Sequence, residues 1–211
     1  MIVVAAGTGR RFGGAKQYEA LAGRRVLDWS LDAARSATAG AGAQAGGGVV
    51  VVVSPAHAAD DEPVADAVVT GGDTRSGSVR AGLAVVPADA EVVVVHDGAR
   101  PLADGALFAA VVAAVRAGAD AALPGVPVDD TLRSRAGGVV DRDGLVAVQT
   151  PQAFRAAALR AAHAGGGEAT DDASLVEAAG GKVVVVDGSP TNVKITRPTD
   201  LVVAEALLRD R

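Results

Sequence analysis

Residues 5–18 read AAGTGRRFGGAKQY and set glycines at 7, 9, 13 and 14 among three cations, Arg10, Arg11 and Lys16. Glycines let a backbone approach a ligand closely and clustered cations favour an anion, so the loop could hold a dinucleotide, hold a triphosphate, or merely turn. A dinucleotide loop requires G-x-G-x-x-G and an acidic residue roughly 20 positions farther on, at the tip of the second strand. Here Phe12 takes the third glycine position, and the second valine-rich run ends Val53-Ser54-Pro55 without an acid. A Walker A loop fails because no G-K-[ST] occurs. In the triphosphate reading, Gly7 and Gly9 admit phosphate oxygens to the backbone, while Arg11 and Lys16 supply charge where a transferred phosphoryl group develops it. Taken alone, a glycine turn with solvated cations fits the loop equally well, so other segments must decide.

The elements that would position this loop are legible in the hydrophobic pattern. Valine blocks at 49–53, 92–95 and 183–186, with residues 2–6 as a fourth run, read as strands buried on both faces, the signature of parallel strands covered by helices. Helical spacing follows in Leu27, Leu31 and Ala34; in Leu107, Val111 and Val115; and in Leu201, Ala204 and Leu208 after Pro198. This alternation predicts an α/β fold, an open, mostly parallel sheet in three layers. Ligands of such sheets bind at the carboxyl ends of the strands, which directs attention to residues 7–16, 71–78 and 96–101. The glycine-rich stretch 38–48 reads as a loose connection of low complexity. Residues 126–150 break the rhythm: two extended segments, 126–135 and 139–150, flank a tight Ala136-Gly137-Gly138 reversal. So polar a hairpin cannot fill a core and is expected to project as an arm that contacts another subunit.

Composition narrows the function classes. A chain of 211 residues with 49% hydrophobic residues supports one domain, spanning 1–211. The absence of cysteine removes thiolate chemistry and disulfides, and suits a reducing compartment. A net charge of −5 and an aromatic fraction of 2% argue against a nucleic-acid surface. No apolar run approaches the ~20 residues that cross a bilayer, and no signal-like start precedes the first glycine, so a cytoplasmic location without membrane contact is expected. Beside its valine strand, His96 reads as a structural histidine, and His57 and His163 read as surface residues.

Taken in order, AAGTGRRFGGAKQY, GGDTRSGSV (71–79), HDGARP (96–101), VDRDGLVAVQTPQAF (140–154) and NVKITRP (192–198) resemble the 2-C-methyl-D-erythritol 4-phosphate cytidylyltransferase family of the non-mevalonate isoprenoid pathway. The resemblance runs from residue 2 to about residue 205 and implies a Rossmann-like three-layer αβα nucleotidyltransferase fold with a projecting β-hairpin arm. It implies CTP and a small sugar-alcohol phosphate as substrates. By motif, Ala5, Ala6, Gly72, Asp73 and Ser78 would enclose cytosine and ribose, and the 7–16 loop, including Gly7, Thr8 and Gly9, would wrap the triphosphate. Asp97 would hold Mg²⁺ or another divalent cation, in preference to capping its loop and pairing with Arg100. Arg11, Lys16 and Lys194 would surround the reacting phosphates as the catalytic cations, while Arg100, Thr131, Arg142 and Thr150 would bind the acceptor. The arm, at about 126–150, would form a homodimer and reach the neighbouring site.

Departures from the family pattern are the short FGGA stretch between Arg11 and Lys16, Gly98 where alanine is common, and Val146 where an aromatic is frequent. Because the sequence ends soon after its last expected helix, the fused cyclase domain some relatives carry is not expected here. Competing expectations are a ribitol 5-phosphate cytidylyltransferase, a nicotinamide-dependent oxidoreductase and a non-catalytic nucleotide sensor.

Overall fold

The computed structural model describes residues 1–40 and 47–210. Most of the glycine-rich connection expected at 38–48 therefore lies outside the described residues. The chain opens with β1 (Ile2–Ala5), passes the glycine loop and a 3₁₀ turn at Lys16–Tyr18, and forms a small ribbon of β2 (Ala20–Leu21) and β3 (Arg24–Arg25) before α1 (Val26–Gly40). Four more elements complete this half: β4 (Val50–Val53), β5 (Ala67–Thr70), α2 (Arg75–Val85) and β6 (Val92–Asp97). The second half runs through α3 (Gly105–Arg116), β7 (Ala121–Pro127), β8 (Leu132–Arg133), β9 (Val139–Val140), β10 (Val146–Val148), β11 (Gln152–Arg155), α4 (Ala156–Ala164), α5 (Asp172–Ala178), β12 (Val183–Asp187) and α6 (Pro198–Arg209).

Side-chain alternation along the strands builds the layers. Ile2, Val52, Val95, Leu123 and Phe154 point to one face of the sheet, where Val79 and Leu83 of α2, Leu159 of α4 and Val176 of α5 cover them. Their neighbours point the other way: Val3, Val51 and Val53 pack on Leu27 and Leu31 of α1, and Val94, Ala122 and Ala153 pack on Phe108, Val111 and Val115 of α3. Helix starts are fixed locally, as where Asp104 accepts a hydrogen bond from the Leu107 amide at 3.0 Å. The expected helices at Leu27–Ala34, Leu107–Val115 and Leu201–Leu208 all form.

The main sheet is ordered β5-β4-β1-β6-β11-β7-β12, parallel except at β11, which runs antiparallel between β6 and β7, and at β10, which pairs antiparallel with the end of β7. Gln152 lies opposite Val95 near the carboxyl end of β6, so the reversed strand begins at the end of the sheet where ligands of such folds bind.

Two expectations need correction. The 183–186 run is not buried on both faces: β12 pairs only with β7 at the sheet edge, and Val185 is 51% exposed. A one-sided strand has no neighbour to close its outer flank, so its valines are only partly covered. The arm is also less regular than a long hairpin. Val126 and Pro127 still belong to β7 and 146–148 return to it, leaving only the Leu132–Val140 and Arg133–Val139 pairs in the projection. Gly137 and Gly138, at φ 111° and 81°, make the reversal that a side chain would disfavour.

Candidate active site

A cleft of about 290 Å³ opens where β1 and β6 end, and the glycine loop, the start of α2 and the segment after β12 line it. The loop folds back on itself: the Phe12 and Gly13 amides donate to the Gly9 carbonyl at 2.8 and 3.0 Å, and the Lys16 amide donates to the Gly14 carbonyl at 2.8 Å. Gly9 has φ +64°, and a Cβ there would stand 1.7 Å from the Gly14 oxygen, so only glycine fits this conformation. Beneath the loop the buried Gln17 amide donates to the carbonyls of Ala5 at 2.6 Å and Gly7 at 3.0 Å. The Gln17 anchor holds the loop to the end of β1, and Lys16 beside it lines the cleft. The loop ends in a 3₁₀ turn and not in a helix, unlike a dinucleotide-binding loop, whose last glycine opens one.

The opposite wall is the N-terminus of α2. Thr74 caps it by accepting the Gly77 amide at 2.9 Å, and the Ser78 hydroxyl donates to the carbonyls of Thr74 at 2.9 Å and Gly72 at 3.3 Å. Gly72 lies so close to the helix that a Cβ would meet the Gly77 carbonyl carbon at 3.1 Å. Unpaired amides and the positive end of the helix dipole are thereby presented at the cleft, an arrangement that favours anions.

Asp97, the last residue of β6, forms the floor. Lys194 Nζ lies 2.5 Å from its Oδ2, Arg75 Nε lies 3.7 Å from Oδ1, and Arg100 Nε lies 3.9 Å from Oδ2. Burial opposes its charge, but Lys194, Arg75 and Arg100 outweigh that cost and hold the carboxyl well below the usual carboxylate range. Its amide donates to the Thr150 hydroxyl at 3.0 Å, and that hydroxyl lies 3.1 Å from His96 Nδ1. Burial pushes the His96 imidazole down to about 4, so it is neutral. With Nε2 3.3 Å from the Arg100 carbonyl, His96 is the satisfied structural histidine expected. Lys194 is carried by a segment pinned to this floor: the Ile195 amide donates to the Ala99 carbonyl at 2.8 Å, Asn192 Nδ2 donates to the Thr150 carbonyl at 2.9 Å, and Arg100 Nη1 donates to the Asn192 carbonyl at 2.7 Å.

The structure gathers most of the predicted residues. Ala5, Ala6, Gly7, Thr8 and Lys16 line one wall, Gly72, Asp73 and Ser78 the other, with Asp97 and Lys194 between them. Arg11 is exposed and does not line the cleft, while Arg100 and Thr150 are buried beside Asp97. Thr131 and Arg142 are exposed on the arm and line no part of this cleft. Three participants were not assigned from sequence: Gln17, Arg75 and Asp172, whose Oδ2 accepts from Arg75 Nη1 at 2.7 Å. Gln17 and Arg75 stand inside the quoted motifs, but nothing in their spacing announces a role. The expectation that His163 is a surface residue is wrong, because α5 packs on α4 and leaves His163 only 4% exposed. His57, part-exposed and stacked on Tyr18 at 3.7 Å, lies nearer to that expectation.

Lys16 carries a pH signature. Burial, and next the nearby Lys194 charge, push its ammonium down to about 8. A bound polyanion stabilises the protonated form, so binding takes up a proton in the range where free Lys16 is partly neutral. We expect affinity for inorganic tripolyphosphate to fall as pH rises through about 8, with proton uptake detected by calorimetry in two buffers. Affinity unchanged from neutral to pH 9.5 would contradict this assignment.

Comparison with known proteins places this architecture. Residues 1–210 match the family described as IspD, 2-C-methyl-D-erythritol 4-phosphate cytidylyltransferase. A bifunctional IspD/IspF enzyme of Clavibacter michiganensis is 44% identical over 226 residues, covering 99% of this chain and 54% of that protein. The chain thus spans about half the length of the bifunctional relatives it matches. The 2-C-methyl-D-erythritol 4-phosphate cytidylyltransferase of Rhodococcus opacus is 43% identical over 223 residues, covering 99% of this chain and 94% of that one. The crystal structure of the same-named enzyme from Thermus thermophilus superposes with a TM-score of 0.82 at 39% identity, covering 99% and 98% of the two chains. Matched along nearly its whole length in both sequence and fold, the chain belongs to the 2-C-methyl-D-erythritol 4-phosphate cytidylyltransferase family.

Proposed function

We propose that the protein transfers the cytidylyl group of CTP to 2-C-methyl-D-erythritol 4-phosphate and releases pyrophosphate. The observation that carries this reading is the placing of Lys16, Lys194 and Arg75 around one ionised aspartate in a cleft walled by a glycine loop and a helix N-terminus. An oxygen of the acceptor's phosphate attacks the α-phosphorus of CTP, the bond from that phosphorus to the β-phosphate bridging oxygen breaks, and the electron pair leaves with pyrophosphate. No proton need move, because the phosphate monoester is already an anionic nucleophile at neutral pH. The protein's task is to align two anions and lower their repulsion. Lys16 at the glycine loop faces the triphosphate, and Lys194 lies between the triphosphate and the acceptor phosphate. Arg11, exposed on the same loop, adds positive charge near Lys16. The small side chains of Ala5 and Ala6, with Gly72, Asp73 and Ser78, leave room for cytosine and ribose.

Mg²⁺ fits the donor set. Asp97 is ionised and is the one carboxylate on the floor, and no cluster of three or more metal-binding side chains occurs among the described residues. A single carboxylate completed by substrate phosphates is the usual mode for this ion, which screens phosphate charge when bound. No described helix is long and apolar enough to cross a membrane; a cytoplasmic homodimer is the assembly we propose. The arm supports it, exposing Val139 and Leu145 at 64% and 42% beside Val146 and Val148. Exposed Thr131 and Arg142 then reach the acceptor in the partner's cleft.

Pyrophosphate release from CTP and Mg²⁺ with either 2-C-methyl-D-erythritol 4-phosphate or ribitol 5-phosphate tests the assignment. Preferential turnover of ribitol 5-phosphate, or tight NAD(P)H binding without CTP binding, would overturn it. Arg142→Ala is expected to raise KM for the acceptor by about 10-fold or more, the loss of a charged hydrogen bond, and to leave CTP binding nearly intact. Mixing Arg142→Ala with Lys194→Ala protein should restore part of the activity, since one hybrid site then holds both residues. No recovery after verified subunit exchange would show that each site is self-contained.

A further inference from the structure

Behind Arg75 lies a buried pair, Asp172 and His163, that the proposed mechanism does not use. Asp172 opens α5 with no solvent exposure. Its Oδ2 accepts from Arg75 Nη1 at 2.7 Å, and its Oδ1 lies 3.0 Å from His163 Nε2. A carboxylate oxygen can only accept, so His163 carries its proton on Nε2. The three residues sit on α2, α4 and α5, the helices that cover one face of the sheet.

The far side of Arg75 faces the reacting region. Its Nε lies 3.7 Å from Oδ1 of Asp97 while Lys194 holds Oδ2 at 2.5 Å. The two oxygens of Asp97 are thus met by different cations, Oδ1 by Arg75 and Oδ2 by Lys194. A carboxylate held at one oxygen can still rotate about its last bond, and a cation facing the other oxygen fixes its plane. Arg75 does this only if its own long side chain is held. Among the described residues its hydrogen-bonded partner is Asp172, which is itself held by His163.

We propose that Asp172 is a positioning residue for cytidylyl transfer: braced by His163, it holds Arg75 against Asp97 and so fixes the Asp97 carboxylate opposite Lys194. The proposal rests on the reaction proposed above but makes a structural claim that can fail separately. Asp172→Asn keeps the shape and weakens the hold on Arg75. It should lower kcat by about 10- to 100-fold, the usual cost of losing a partner behind a functional group, with KM for CTP nearly unchanged. Asp172→Glu, which keeps the charge, should recover most of kcat. Arg75→Gln, at a partly exposed side chain, should reproduce the kcat loss should the buried Asp172 variant not fold.

Crystals of Asp172→Asn, or of His163→Ala in its place, should show Arg75 displaced from Asp97. Arg75 retained in its present position overturns the proposal, as does unchanged kcat in folded Asp172→Asn or Arg75→Gln. Equal loss in the Asn and Glu variants, matched by the fraction unfolded, also overturns it, because a merely structural role predicts that result. A wild-type protein that transfers no cytidylyl group refutes the proposed function, while the position of Arg75 in the variant crystals still decides the brace.

Discussion

Lys194→Ala should fold and bind CTP yet lose about 10²- to 10³-fold in kcat, the usual cost of deleting one charge-stabilising contact at a reacting centre. Lys194 is the cation nearest Asp97, and its segment is bonded to the floor through Ile195, Asn192 and Arg100. Removing a buried partner often destabilises a protein, because the remaining charge is left uncompensated. Here the lysine side chain is 37% exposed, and Arg75 and Arg100 still face Asp97. The melting temperature should therefore move little. Steady-state kinetics beside a thermal melt check this, and a large drop in melting temperature with kcat preserved would make Lys194 structural. Lys194→Arg should recover only part of the rate, because a planar fork does not reproduce a compact ammonium 2.5 Å from Asp97.

Gly9→Ala is expected to cost about 10²-fold in kcat/KM with little loss of stability, although it removes no charge. Its Cβ would fall 1.7 Å from the Gly14 carbonyl oxygen, at a φ of +64° that alanine resists. Since backbone cannot yield as a flexible side chain can, the turn must reopen and carry Lys16 away from the cleft. Misplacement of about 1 Å at a reacting centre can cost such a factor. No residue from 7 to 16 is buried, so reshaping the loop uncovers little of the core. Gly13→Ala is the comparison: it shares a positive φ of +100°, but a Cβ there meets nothing within 4 Å. It should cost much less activity, and equal effects at the two glycines would refute the steric argument.

The parts of the fold legible in sequence were those governed by local pattern. Continuous valine runs marked strands covered on both faces, and the spacing of Leu27–Leu31 and Leu107–Val111–Val115 marked helices, because burial leaves its mark in the local pattern. Edge position leaves no such mark. The 183–186 run is as apolar as 92–95, yet one forms a partly exposed edge strand and the other a central one. The cleft was legible where charged or glycine residues fell just past a strand. Its support was not: the Arg75–Asp172 contact joins residues 97 positions apart, as does Lys194–Asp97. Only the latter pair was carried by motifs, and even there the contact itself was not foreseen. What buries His163 is the packing of α5 on α4, which follows from the tertiary fold and leaves no mark in its own segment.

The Lys194–Asp97 contact also determines how an anion gains entry. These two groups already neutralise one another at 2.5 Å, so a phosphate that reaches Lys194 has to compete with an internal counterion. A multiply charged anion is therefore expected to compete for Lys194 better than a singly charged one.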